Sequence, residues 1–365
     1  MRDDFVNALV DRIYEAAVVT EAWPAVLQEI AEIGEGALAS LLVLDHGGDL
    51  HWIGTPAADA LVSEYVSLRG VAFNSRIPRR RRLPNPGFVG DLDYITLPEI
   101  DEDPFYQEFL HPRGYGWVAA THVLSPIGES MCVSVERRRT RGPFEREVMD
   151  RLDLFGPHLA RAMLISSRLG LMRATDIADG LSHVGLPAAV LGHGAQPIAM
   201  NALFEALIPA VVLDGPGRLT LAAPQADKAL AGALASLRSL DVRNDIRSVP
   251  LAAAEGRSPM IFHVLPIRGR AHDIFSLASA VVIVTPVVPA KVPSAELLQR
   301  LFELTPAEAR VARAIGSGKT VNDIAAAVGL SRETVRTQLK AILHKTGLSR
   351  QAELASLLSG IAIGP

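Results

Sequence analysis

Residues 304–360 read LTPAEARVARAIGSGKTVNDIAAAVGLSRETVRTQLKAILHKTGLSRQAELASLLSG. Four helices follow from the end signals alone. Thr305 is an N-cap, Pro306 takes the first helical position, and Glu308 completes a capping box. This helix ends at Gly316-Ser317-Gly318. Thr320 caps a second helix, with Ile324, Ala325 and Val328 facing inward, and Gly329 stops it in a left-handed turn. Ser331 caps a third helix with Val335, Leu339 and Leu343 on its buried face, and Gly347 closes it. Ser349 opens a fourth, in which Leu354, Leu357 and Leu358 are apolar. The second and third helices, joined by Gly329-Leu330-Ser331, form a helix-turn-helix.

Burying Val335, Leu339 and Leu343 turns Arg332, Arg336, Thr337 and Lys340 outward, a face suited to the major groove of double-stranded DNA. Charge agrees. The whole chain of 365 residues carries a formal −4. From Arg300 onward nine basic residues stand against five acidic ones, a tail of +4 that leaves −8 for the rest. A basic module joined to an acidic one is the balance expected of a DNA binder with a separate sensing part.

The pattern LT-x-x-E, A-x-G-x-T, IA-x-x-x-GLS-x-x-TVR-x-x-L and KTG resembles the LuxR/FixJ-type DNA-binding domain across about residues 300–360. The resemblance implies that Arg336, Thr337 and Lys340 read bases and that Thr334 holds a phosphate. The capping hydroxyls of Ser331 and Thr320, with Arg332 and Lys319, suit phosphates too. The direction of Gln338 stays open. The family's last helix often pairs two copies on DNA, which here points to Leu354, Leu357 and Leu358. The partners expected are double-stranded DNA, a second copy of the chain, RNA polymerase and an unidentified small molecule. The stretches NSRIPRRRRL, PFYQEFLHPRGYGW (104–117), ERR (136–138), GPFE (142–145), PHLARAMLISSRLGL (157–171) and GLPAAVL (185–191) are similar to a group of long LuxR-type regulators.

Upstream, helical spacing over 5–19 and 23–34 precedes a buried strand at 38–45, a Gly47-Gly48 turn and a helix over 58–69. A basic loop at 73–87 follows, then strands at 118–125 and 130–137. This order predicts a GAF-like α+β sensor domain over 1–143. Residues 144–177 read as a connecting helix with an apolar seam of Val148, Leu152, Phe155, Leu159, Ala162 and Leu169. Pro157 kinks or restarts it. The seam packs on its own domain or forms a dimer. Over 178–288 a helix, a hairpin (187–192 and 197–201), helices at 201–209 and 226–240, and strands at 245–252, 259–267 and 279–287 predict a PAS-like domain. A proline-containing linker spans 289–299, and the helix-turn-helix domain 300–365. The fold class is thus multidomain: α+β GAF/PAS-like sensors followed by an all-α four-helix domain.

Other signals fail. GSGKT (316–320) lacks the first glycine of a phosphate loop, since position 313 is Arg. Asp3 and Asp4 precede a helix rather than follow a strand, so a phosphorylated receiver domain is not indicated. No nucleophile–base pair or metal-ligand spacing is apparent, so no enzyme activity, metal or cofactor is expected. Cys132 is the one cysteine; it reads as a buried thiol or a redox switch. Arg79–Arg82 is a solvated loop or an anion contact. Asp103-Pro104-Phe105-Tyr106 and Trp117 pack a core or line a ligand cavity. The N-terminus, MRDDFVNALVDR, is too acidic for a signal peptide, and no apolar run is long enough to span a bilayer. A cytoplasmic protein without membrane partners is expected. The rival reading is a small-molecule or protein-interaction module with a vestigial DNA-binding domain.

Overall fold

The computed structural model describes residues 3–45, 48–68, 70–80, 87–215, 217–236, 246–254, 256–267, 278–287 and 292–360. Gly47, Arg81, Arg82 and positions 289–291 of the expected linker lie outside the described residues.

In the N-terminal region α1 (Asp3–Val18) and α2 (Trp23–Ile33) lead into β1 (Leu38–Leu44) and β2 (Leu50–Gly54). Then come α3 (Pro56–Ser67), the short α4 (Arg76–Arg80), β3 (Val89–Gly90), α5 (Leu97–Glu102) and a π-helical turn at Phe105–Leu110. The strands β4 (Tyr115–Leu124) and β5 (Ser130–Arg138) complete a sheet ordered β2-β1-β5-β4-β3. Successive strand residues face opposite sides. Ala39, Leu41 and Val43 of β1, with Met131, Val133 and Val135 of β5, join a core with Leu9, Ile13, Trp23, Leu27 and Ile30 of the first two helices.

The expected long helix is broken. α6 (Arg146–Asp153) stops before Pro157 and α7 (Gly156–His183) restarts, extending six residues past the expected end at 177. Val148, Leu152, Phe155, Leu159 and Ala162 are buried in the same core. That part of the seam therefore packs on its own domain and offers nothing to a second copy.

The second region runs β6 (Ala188–Leu191), β7 (Pro197–Met200), α8 (Ala202–Glu205), β8 (Val212–Leu213), β9 (Thr220–Leu221), α9 (Pro224–Ser236), β10 (Arg247–Leu251), β11 (Met260–Pro266) and β12 (Ala280–Pro286). Its sheet is ordered β10-β11-β12-β6-β7. Both sheets thus place the opening hairpin beside the last strand, and in this region the β8–β9 pair is an element that sequence reading missed, as it missed β3, α5 and the π-helical turn upstream. Asn201 anchors the hairpin. Its Oδ1 accepts from Ala188 N at 3.1 Å and from Phe204 N at 3.0 Å, and its Nδ2 donates to Ala178 O at 2.9 Å.

Among the described residues the C-terminal region holds five helices rather than four: α10 (Ala295–Phe302), α11 (Pro306–Gly316), α12 (Val321–Val328), α13 (Arg332–Thr346) and α14 (Gln351–Gly360). α10 replaces the second half of the expected linker. Ser294 caps it, accepting from Leu297 N at 3.3 Å, and Leu298 is fully buried in the helical core. Two α+β regions are followed by an all-α domain, as expected. Among the described residues no helix is long and apolar enough to cross a membrane.

Candidate nucleic-acid interface

α13 is held by local chemistry at both ends. Gly329 takes φ +66°, a left-handed turn that glycine adopts without a Cβ clash, and so ends α12. Two residues later Ser331 Oγ accepts from Thr334 N at 3.1 Å and opens α13; Gly347, at φ +69°, closes it. The inward stripe is Val335, Leu339 and Ile342, which pack with Ile315, Ala309 and Ile324. Leu343, expected on this stripe, is only partly buried, because position 342 faces the core more squarely. Val328 was expected inward but is 48 % exposed; the buried part of α12 is Ile324 and Ala325, and its last turn projects beyond them.

With that stripe anchored, Arg332, Glu333, Thr334, Arg336, Thr337 and Lys340 are exposed. Arg332 and Lys340 make no ion pair among the described residues. Arg336 has Glu333 Oε2 at 3.7 Å, both side chains largely in solvent. An exposed pair of this kind contributes little and is easily exchanged for another acceptor. Thr337 Oγ1 donates to Glu333 O at 3.0 Å, so its hydroxyl hydrogen is committed to the helix and only its lone pairs and methyl face outward. Gln338 is half-buried and turns away from the basic face.

The expected phosphate residues divide in two. Arg332 and Lys319 are exposed cations. The hydroxyls of Ser331 and Thr320 are already used. Ser331 Oγ lies 2.9 Å from Thr334 Oγ1, and Thr320 Oγ1 donates to Asp323 Oδ2 at 2.6 Å. That donation, with Thr320 N, holds the Asp323 carboxyl below its usual range. These residues build the helix ends first; what they offer a phosphate is the amide-rich N-terminus they expose.

Sequence reading missed the tie that seats α13. Lys345 Nζ donates to Glu308 Oε2 at 2.8 Å and to Glu303 O at 3.0 Å. The Lys345 ammonium first, and then Thr305 N–H, hold the Glu308 carboxyl below the ordinary range. Glu308 thus serves both as capping-box residue of α11 and as anchor for α13. This gives a physical reason for the Glu of LT-x-x-E and the Lys of KTG.

The expected pairing face needs correction. Leu354 and Leu358 are fully buried in the core of their own domain and so are unavailable to a second copy. Leu357 is half-buried, and the exposed face of α14 is Ala352, Ser356 and Ser359.

In the N-terminal region a cavity of about 140 Å³ lies on the sheet face opposite the main core. Its floor is a grid set by strand register. Leu42, Cys132 and His122 form one row, Ser40 and Ser134 the next, and Leu38, Glu136 and Val118 the third. Leu61, Val62 and Tyr65 of α3, α4, and Phe105, Phe109 and Leu110 cover it. Of the aromatic stretch singled out in the sequence, only Phe105 lines this cavity. Asp103 Oδ1 accepts from Phe105 N at 2.9 Å and shapes the turn, while Trp117 borders a separate hollow.

Arg76, read as part of a basic loop, is instead 4 % exposed. It pairs with Asp91 at 3.2 Å and Glu136 at 3.0 Å, and its Nε donates to Tyr106 Oη at 3.1 Å. Tyr106 and Tyr94 both donate to Asp91 Oδ1, at 2.6 and 2.8 Å. Burial works against the Arg76 charge, but the two carboxylates overcome it and keep the guanidinium charged. Burial pushes the Glu136 carboxyl up, and Arg76 offsets part of that rise.

The bacterial regulatory proteins of the luxR family match residues 303–358, which takes in α11, α12, α13 and most of α14. No curated protein matches the chain. Among solved structures, Escherichia coli SdiA is similar at 12 % identity, with 98 % of each chain covered and a TM-score of 0.34. The N-acylhomoserine lactone dependent LuxR family transcription factor CepR2 of Burkholderia cenocepacia shares 16 % identity over 45 % of this chain and 98 % of its own, with a TM-score of 0.34. Vibrio cholera VqmA, in a ligand–DNA complex, shares 16 % over 51 % of this chain and 86 % of its own, with a TM-score of 0.24. These likenesses are remote, and the family match over the four helices stands without them. The chain carries, at residues 303–358, a domain of the LuxR family of bacterial regulatory proteins.

Proposed function

We propose that the chain is a sequence-specific DNA-binding transcriptional regulator that works as a homodimer without catalysing a reaction. A small molecule held in the N-terminal region sets how well it binds DNA. RNA polymerase is the partner through which the bound protein acts. The observation that carries this reading is the exposed basic face of α13, where Arg332, Arg336 and Lys340 project from a helix fastened behind by Val335, Leu339, Ile342 and Lys345. A guanidinium on such a face can give two hydrogen bonds to guanine O6 and N7. In this reading Arg336, Thr337 and Lys340 read bases, and Arg332, Lys319 and the N-terminal amides hold phosphates.

Homodimerisation is supported by the way helix-turn-helix proteins read two half-sites one helical turn apart. If α14 takes part, its contact is made by Ala352, Ser356, Leu357 and Ser359 rather than by the buried Leu354 and Leu358. Selection of bound duplexes from a random pool by the full chain tests the reading. The expected product is a two-fold symmetric site with half-sites about 10 base pairs apart. A pool that stays random through successive rounds would remove it.

A further inference from the structure

We propose that the N-terminal cavity takes a small apolar monocarboxylic acid, about the size of benzoate, whose carboxylate sits on Arg80 while its hydrocarbon part lies over the Ser40–Cys132–Ser134 floor. This rests on the reading above, in which a small molecule in this region sets DNA binding.

The space is made by side-chain size. Along β5 the residues facing the main core are Met131, Val133 and Val135, whereas those facing the cavity are Ser130, Cys132 and Ser134. Ser40, opposite Ser134, is small as well, and the two hydroxyls share one hydrogen bond at 3.0 Å. They form a shallow floor under the apolar cover of Leu61, Val62, Phe105 and Phe109. Dry cavities of about 150 Å³ take a benzene ring, and this one measures about 140 Å³.

The charge is placed by α4. Arg76 and Arg80 are four residues apart and share one helix face, so both line the cavity. Arg76 is already neutralised by Asp91 and Glu136. Arg80 is not: its one hydrogen bond among the described residues is Nη2 to Cys132 Sγ at 3.5 Å, and no described carboxylate lies within ion-pairing distance. A guanidinium whose hydrogen bond goes to a thiol, with Glu136 acting on it only from beyond ion-pairing distance, is poorly compensated. A ligand carboxylate supplies the missing partner, matching the planar fork of arginine with two hydrogen bonds. Burial opposes the charge on Arg80, yet it stays protonated. Arg80 is thus a cation whenever the acid is ionised.

The test is calorimetric titration of the full-length protein with benzoate, cyclohexanecarboxylate and octanoate, each against its neutral amide. At least one acid binds, and its amide binds about tenfold more weakly or worse. Arg80→Gln lowers affinity for the acid by about tenfold or more, Arg80→Lys by less, and Cys132→Ser leaves it unchanged. Should Arg80→Gln fail to fold, the acid–amide comparison and Arg80→Lys still decide. The proposal is overturned if amides bind as well as acids, if Arg80→Gln binds like the wild type, if no acid of the series binds, or if binding requires the Cys132 thiol. DNA binding by the same preparations is measured in parallel. Selective DNA binding with no acid bound sinks this assignment alone, whereas absence of DNA selectivity sinks the regulator reading whatever the acids do.

Discussion

Replacing Lys345 with alanine should loosen α13 on its support without touching the basic face. The ammonium makes two hydrogen bonds, one to a carboxylate that is 11 % exposed. A hydrogen bond to a charged group contributes about 1.5–3 kcal/mol, and removing one partner of a fully buried pair costs about 3–5 kcal/mol. Two features pull the value down. The Lys345 side chain is 33 % exposed, and Thr305 N still donates to Glu308 Oε2 at 2.7 Å after the substitution. The expected loss is about 2 kcal/mol, which speeds hydrogen exchange of the α13 amides by about thirtyfold in the full chain. DNA affinity should fall for all sequences alike, since the scaffold and not a base contact has changed. Glu308→Gln combined with Lys345→Ala should cost far less than the sum of the two single changes. Because the Glu308 carboxyl is held below its usual 4.5, the pair stabilises fully above that value, and its contribution is lost as pH falls through the lowered one. In Lys345→Ala this acid-side loss should shrink. Unchanged exchange of α13, or strictly additive single changes, would refute the reasoning.

Leu354→Ala should cost about 2–5 kcal/mol, read as early melting of the C-terminal domain, because it empties a fully buried position; Leu357→Glu should leave melting nearly unchanged and weaken pairing on DNA, read by sedimentation with a two-site duplex. Arg76→Met should cost about 3–5 kcal/mol, since it strands Asp91 and Glu136 without their cation; near-ultraviolet circular dichroism of the N-terminal aromatics checks it. Glu333→Ala should raise DNA affinity at low salt, because it removes an acid from the α13 face and releases Arg336; a salt titration of binding reads this.

The C-terminal domain was legible because its signals are local. Thr305 with Glu308, Thr320 with Asp323, Ser331 with Thr334, and the left-handed Gly329 and Gly347 each act within a few residues, so the sequence carries them intact. The main helices and strands upstream were legible for the same reason, whereas the short β3, α4, α5, β8 and β9 were not. What escaped depends on contacts far along the chain. The partners of Arg76 lie 15 and 60 residues away, so RIPRR reads as a solvated charge run until Asp91 and Glu136 are brought to it. The alternation SMCVSVE was visible, but it says nothing about whether its small side faces water, a core or a cavity. Leu354 and Leu358 show a limit of another kind. An apolar four-residue repeat fits the helix's own domain and a second copy equally well, and only the packing of α14 on α11 decides. α10 was hidden by the prolines before it, although Ser294 and Leu298 gave its cap and its buried side.

The most direct test of the account compares wild type and Arg336→Ala on the best-selected duplex and on random competitor at one fixed salt concentration. The account predicts that the wild type prefers the selected duplex by about a thousandfold or more, and that the substitution removes about 1–3 kcal/mol of that preference while binding to random DNA barely changes. Equal affinity of both proteins for both duplexes would contradict it.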